Sequence, residues 1–240
     1  MAEFSRLVKR YQDLSHSESL GELIWRGLDK LGVYAETPLK KMTYAKQTFN
    51  LNDRSFNYAV HSYNATWRNE RAVEVPIMLD FLDEHHNKRI LEVGNVSCYY
   101  RQITHDVVDK YENSENGLNI DIMDYHPKDT YDAFLAISTF EHIGWDETPK
   151  EPEKVMAAVN HVYNLVKDRS AVLISCPLGY NDAIDDYINT DAFPFQEVRY
   201  MTRIDRSNRW VETDKEEAMK NKYDSLYPAA NGIFVGRGLI

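Results

Sequence analysis

The sequence predicts an α/β fold built on a largely parallel, doubly wound sheet, and three observations predict it. Residues 88–94, KRILEVG, run from a charged pair through a short apolar stretch to an acid and a glycine. A parallel strand buried on both faces reads this way. Beyond it, strand-like and helix-like segments alternate, as a doubly wound sheet requires. After Pro177 the order changes to two strands separated by a polar, aromatic connection, which suits an antiparallel pair closing the sheet.

The elements follow in order. Phe4, Leu7, Val8, Tyr11 and Leu14 repeat at helix spacing. A capping box, S-x-x-E at Ser15 and Glu18, precedes a second amphipathic run in which Leu20, Leu23, Ile24, Leu28 and Leu31 share a face. Gly32 stands where that helix is expected to stop. From 33 to 64 the pattern weakens, and Pro38, a lysine pair and several Asn and Asp residues predict a long connection. A helix is expected over 66–84, with Pro76 either at its first turn or kinking it. Strands are expected at 89–93, 106–109, 118–121, 133–138 and 171–176, a helix over 152–167, and final strands at 197–204 and 232–239.

Composition narrows the function classes. With 240 residues and 43% hydrophobic content, the chain is long enough for one large α/β domain and a smaller helical extension. No apolar run approaches the roughly 18 residues of a membrane span. The start MAEFSRLVKR lacks the apolar core of a signal peptide. Cys98 and Cys176, each beside an expected strand, are read as reduced thiols of a cytoplasmic protein. A net charge of -10 repels phosphate backbones. Arg199, Arg203, Arg206 and Arg209 cluster, but interleaved acids make solvated edges or one substrate contact the better reading. No nucleic-acid partner and no metal are expected. A small-molecule or sugar acceptor is favoured.

Four stretches carry the chemistry-bearing side chains: EVGNVSCYY from Glu92, HDVVD ending at Asp109, LNIDIMDY around Asp121, and ISTFEHIGWDE around His142. Together with PLGYN and an RW-x-E before the last strand, they resemble class I S-adenosylmethionine-dependent methyltransferases. The likeness is to a bacterial-type subgroup that often accompanies sugar- and polysaccharide-modifying enzymes. It covers about 66–240. It implies a Rossmann-like, seven-stranded sheet with helices on both faces, S-adenosyl-L-methionine as cofactor, and O-methylation of a sugar or other small hydroxylated acceptor. Residues 1–65 would then be a helical extension or cap that covers the acceptor side or forms a homodimer contact. An inactive scaffold that binds the cofactor or its demethylated product is the alternative.

The resemblance also implies residue roles. Glu92 and Gly94 match the start of E-x-G-x-G-x-G, but Asn95 and Val96 stand where glycines would continue, so the loop is less open. The missing glycines also argue against a dinucleotide. Asp109 falls where a ribose-binding acid lies, with pairing to Lys110 as the alternative. Asp121 falls at the adenine-contacting acid, with Ile122 covering the ring; a turn role competes. Ser138, Glu141 and His142 match the small residue and Glu-His pair after the fourth strand. His142 is a candidate general base, since imidazole titrates near neutral pH, or it packs against the cofactor. Glu141 has the same two readings. Arg71 is placed to meet the methionine carboxylate, or it pairs with Glu74. Asp146, Asn181 and Asp182 match a magnesium set only loosely. Tyr180, Tyr187, Phe193, Phe195 and Tyr200 line an acceptor pocket or pack in the core.

Overall fold

The protein is described from a computed structural model over residues 20–112 and 117–239. The expected helix over 4–14 lies outside these residues. Fifteen elements follow in chain order: α1 (Leu20–Thr43), β1 (Thr48–Leu51), β2 (Arg54–Asn57), α2 (Arg71–Glu84), β3 (Ile90–Val93), β4 (Asp106–Val108), β5 (Gly117–Leu118), β6 (Tyr131–Ile137), α3 (Lys154–Leu165), β7 (Val166–Pro177), α4 (Asp182–Asn189), β8 (Phe195–Arg203), β9 (Trp210–Thr213), α5 (Lys215–Ala218) and β10 (Gly232–Leu239).

One sheet has the order β5-β4-β3-β6-β7-β10-β8-β9. The first five strands are parallel, and β10 inserts antiparallel between β7 and β8. The sheet therefore has eight strands rather than seven. The extra strand, β9, pairs only with β8 at the edge. Its four residues alternate weakly in burial and carry no period a sequence can reveal.

Strand periodicity splits the core between two faces. Leu91, Phe134, Val172 and Phe234 pack with Val155, Val159 and Val162 of α3. Ile90, Leu135, Leu173 and Ile233 pack on the other face with Val73, Ile77 and Phe81 of α2. Val33, Tyr44, Phe49, Leu51 and Tyr58 join this second core, which ties the chain from α1 onward to the sheet.

Three expectations change. The α1 helix runs through Gly32, its expected stop, and through Pro38 to Thr43, and Leu28 and Leu31 on its apolar face are 55% and 67% exposed. The expected connection from 33 to 64 contains the end of α1 and a hairpin of β1 and β2. Its turn residues Asn52 and Asp53 have φ of 51° and 58°, as a two-residue primed turn requires. The helix expected from 66 begins at Arg71, after a 3-10 turn at Tyr63–Arg68. Pro76 lies inside it, and the carbonyl of Ala72 that Pro76 cannot serve accepts the N–H of Ala59 at 2.9 Å. Among the described residues no helix is long and apolar enough to cross a membrane.

Candidate active site

In an open α/β sheet, the carboxyl ends of the parallel strands form the ligand crevice. Gly94 follows β3 there with φ +85°, and a Cβ built on it would lie 2.1 Å from Thr139 Oγ1 just beyond β6. Glycine is required both by conformation and by this contact.

The next loop is held from within. The carboxylate of Glu92, 1% exposed, accepts the N–H groups of Val96 at 3.0 Å and Ser97 at 2.8 Å. It also meets the Ser97 hydroxyl and His105 Nε2, the latter at 2.7 Å. Asp109 accepts the Asn95 N–H at 2.8 Å on one oxygen and those of Tyr111 and Glu112, at 2.8 and 2.7 Å, on the other. Two acids thus organise the loops that further glycines would otherwise shape. Lys110 turns away from Asp109 toward Asp121 and Glu147. Within this region Asn95 Oδ1 and the Tyr100 hydroxyl are buried without a hydrogen-bond partner among the described residues.

The amino end of α2 meets the ends of β6 and β7. Arg71 donates to Glu74 at 2.9 Å and to the Ile137 carbonyl at 3.2 Å. The other Glu74 oxygen accepts the hydroxyls of Ser138 and Ser175, each at 2.7 Å. Ser138 has φ +38°, a strained setting for a non-glycine residue. Glu70, also buried, has its acid pKa pushed up by desolvation and by the neighbouring Glu74. Sequence reasoning named Glu74 only as a partner for Arg71. A carboxylate inside the apolar run AVEVPIM was the available signal for its larger role.

After β6, the 3-10 turn Phe140–His142 points its two polar side chains differently. Glu141 is 1% exposed, and burial pushes its carboxyl up to about 7 against the opposing pull of His142. Its Oε2 is buried without a hydrogen-bond partner among the described residues, and Oε1 lies 3.6 Å from His142 Nε2. His142 is half-exposed, with Nδ1 2.5 Å from Asp146 Oδ2. The Tyr180 hydroxyl donates to that oxygen at 2.7 Å. Burial alone would raise Asp146, but these hydrogen bonds from Tyr180 and His142 hold it below the ordinary range. Tyr180 sits edge-on to His142 and to Tyr223, at 5.0 and 4.9 Å between ring centroids.

Asp121 occupies a separate charge cluster. It meets Lys154 at 2.6 Å and Lys110 at 3.0 Å, while Glu147 meets the same two lysines. Burial opposes ionisation of Asp121, yet the Lys154, Met123 amide and Lys110 bonds hold it down at about 2. Ile122 is buried against the α3 face of the sheet.

Of the aromatic residues singled out from sequence, Tyr180 alone stands beside His142. Phe193, Phe195 and Tyr200 are in the α3-side core, with Tyr187 packed against it. Sequence reasoning missed Tyr63 and Tyr99, whose rings stack at 3.8 Å, and Tyr100, edge-on to Tyr63. No spacing rule links residue 63 to residue 99, so only folding brings them together. Asn181 caps α4 and donates to the Glu141 carbonyl at 2.9 Å. Arg199 and Arg209 pair with acids, and Arg203 is buried on backbone carbonyls, which breaks up the basic cluster.

No family model matches this chain, and no curated protein matches it. Solved structures overlap it loosely. The N-methyltransferase NodS of Bradyrhizobium japonicum, bound to S-adenosylhomocysteine, is 11% identical over 70% of this chain and 93% of its own, with a TM-score of 0.38. A S-adenosylmethionine-dependent methyltransferase of Clostridium acetobutylicum is 10% identical over 68% and 89%, at 0.36. TehB of Haemophilus influenzae is 11% identical over 71% and 64%, at 0.39.

Proposed function

We propose that this protein is a S-adenosylmethionine-dependent methyltransferase that O-methylates a sugar or other small hydroxylated acceptor. The observation that carries this reading is the His142–Asp146 pair at the carboxyl end of β6, 2.5 Å apart and steadied by Tyr180. A carboxylate on Nδ1 favours the tautomer that leaves Nε2 free to accept a proton. That is the arrangement a general base needs when the nucleophile is a weakly acidic hydroxyl.

Asn95 Oδ1, the Tyr100 hydroxyl and Glu141 Oε2 are buried without a hydrogen-bond partner among the described residues, which supports a polar ligand as their partner. Following the resemblance, Arg71 would hold the carboxylate of the methionine portion. Asp109 would take a ribose hydroxyl on its remaining lone pairs, and Asp121 with Ile122 would bound the adenine. Ser138 and Asn95 would contact the cofactor, while Glu92 and Gly94 set the loop's path. When bound, the cofactor supplies an electrophilic methyl group on a positively charged sulfur. Orientation of the acceptor oxygen then does most of the work. His142 Nε2 takes the acceptor's proton as the oxygen becomes a nucleophile, and Asp146 stabilises the resulting imidazolium.

A scaffold without transferase activity is the second reading, favoured by the commitment of Glu92 and Asp109 to their own loops. Calorimetric titration with S-adenosylmethionine and S-adenosylhomocysteine, followed by a methyl-release assay on hydroxylated acceptors, separates the two. Binding with turnover is expected. Binding without turnover on any acceptor favours the scaffold, and no binding of either ligand removes both. Asp109→Ala should weaken binding by about 1–3 kcal/mol, the cost of losing a hydrogen-bonding carboxylate.

A further inference from the structure

The α1 helix turns an apolar stripe to solvent. Leu28, Leu31, Leu39 and Met42 are 55%, 67%, 61% and 66% exposed, and Ala35 is exposed between them. At about 100° per residue these five positions fall within roughly 80° of one another around the helix axis. The opposite side faces the protein. Val33 is buried there, and Asp29 and Glu36 both pair with Arg68. A Cβ added at Gly27 or Gly32 would meet nothing within 4 Å. Among the described residues nothing covers the stripe.

We propose that this stripe is a homodimer surface on which α1 packs antiparallel against α1 of a second copy. The proposal does not depend on the methyltransferase reading. A two-fold interface must be self-complementary, and the stripe is. Residues 28 and 42, and 31 and 39, are spaced equally about residue 35. Two copies run antiparallel about Ala35 place Leu31 of one beside Leu39 of the other, and Leu28 beside Met42. Leu31 and Leu39 lean to opposite sides of Ala35 by about 40° each, so they interleave rather than collide. Alanine at the centre lets the two backbones approach closely, and the exposed Pro38, about 60° around the axis from Ala35, borders the stripe on the side where Leu31 of the second copy packs.

The area fits a modest assembly. Covering five such side chains in each copy removes roughly 1,000 Å² of surface in total, at about the lower limit for a specific interface. A concentration-dependent dimer follows, rather than an obligate one. A membrane surface is the less suitable occupant, since a chain of net charge -10 is repelled by anionic lipid.

The test uses the full chain. Sedimentation velocity across a concentration series should show a monomer–dimer equilibrium, and Leu31→Asp should raise its dissociation constant at least about tenfold. Ala35→Cys should form a disulfide-linked dimer under mild oxidation, because each new thiol faces its own counterpart across the two-fold axis. Met42→Cys should stay at the wild-type level set by Cys98, since its counterpart lies about 21 Å along the helix pair. Wild-type protein that remains monomeric at every concentration overturns the proposal. Equal cross-linking at positions 35 and 42 also overturns it, and this readout holds even where Leu31→Asp fails to fold.

Discussion

His142 Nδ1 and Asp146 Oδ2 lie 2.5 Å apart within one turn, closed by a 3.1 Å hydrogen bond from the Asp146 N–H to the His142 carbonyl. The backbone thus sets the imidazole–carboxylate geometry locally. Only Tyr180, 34 residues further on, depends on the fold to reach the same oxygen.

If His142 is the general base, His142→Ala should lower turnover by about 10²–10⁴-fold while leaving cofactor affinity nearly unchanged. A packing role predicts the reverse, with weaker cofactor binding and a modest loss at saturation. Turnover and a binding titration on the one variant decide between them.

Asp146→Asn keeps the shape but removes the charge that orients His142 Nδ1. Turnover should fall at least about tenfold, with a cofactor dissociation constant like the parent's. A variant with full turnover would detach Asp146 from the chemistry.

Glu74 joins α2 to β6 and β7 through Arg71, Ser138 and Ser175. Glu74→Ala strands a buried guanidinium and two hydroxyls, and should cost about 3–5 kcal/mol of folding stability. Urea unfolding measures this, and a loss under 1 kcal/mol, the scale of an exposed pair, would mean the hub is not intact in solution.

Gly94→Ala forces a left-handed φ on alanine and drives its Cβ into the Thr139 side chain. A stability loss of about 1–3 kcal/mol is expected. Thr139→Ala in the same chain should recover part of it. Equal losses with and without the second substitution would leave the contact with Thr139 no role.

Burial holds the Glu141 carboxyl at about 7 in the folded protein against an ordinary 4.5. The folded state therefore binds this proton more tightly than the unfolded chain. Its contribution to stability is fully present below about pH 4.5 and is lost as pH rises through about 7. Glu141→Gln should remove that dependence, so the gap in melting temperature between variant and parent shifts in the variant's favour from pH 5 to pH 8. Parallel melting curves across that range would contradict it.

The sheet was readable because its central strands are buried on both faces and appear as continuous apolar runs. Residues 90–93 and 131–137 show this directly, and the expected strands fall on the observed ones to within a few residues. β7 is the exception, starting at Val166. The hairpin β1–β2 escaped notice because its strands have four residues each and β2 is mostly exposed. Short half-buried strands leave no pattern longer than chance provides.

The sequence by itself determined the succession of the five parallel strands along the chain and which residues follow their carboxyl ends, among them Gly94, Asp109, Ser138, Glu141 and His142. Local periodicity and chain order suffice for that. Only the tertiary structure decided what those side chains and their neighbours face. Glu92 and Asp109 turn to amides of their own and adjacent loops. Glu74 becomes a hub through hydroxyls 64 and 101 residues away. The apolar face of α1, indistinguishable in sequence from a core face, is left in solvent at Leu28 and Leu31. A buried polar group takes whichever partner folding brings within reach, and no spacing along the chain encodes that choice.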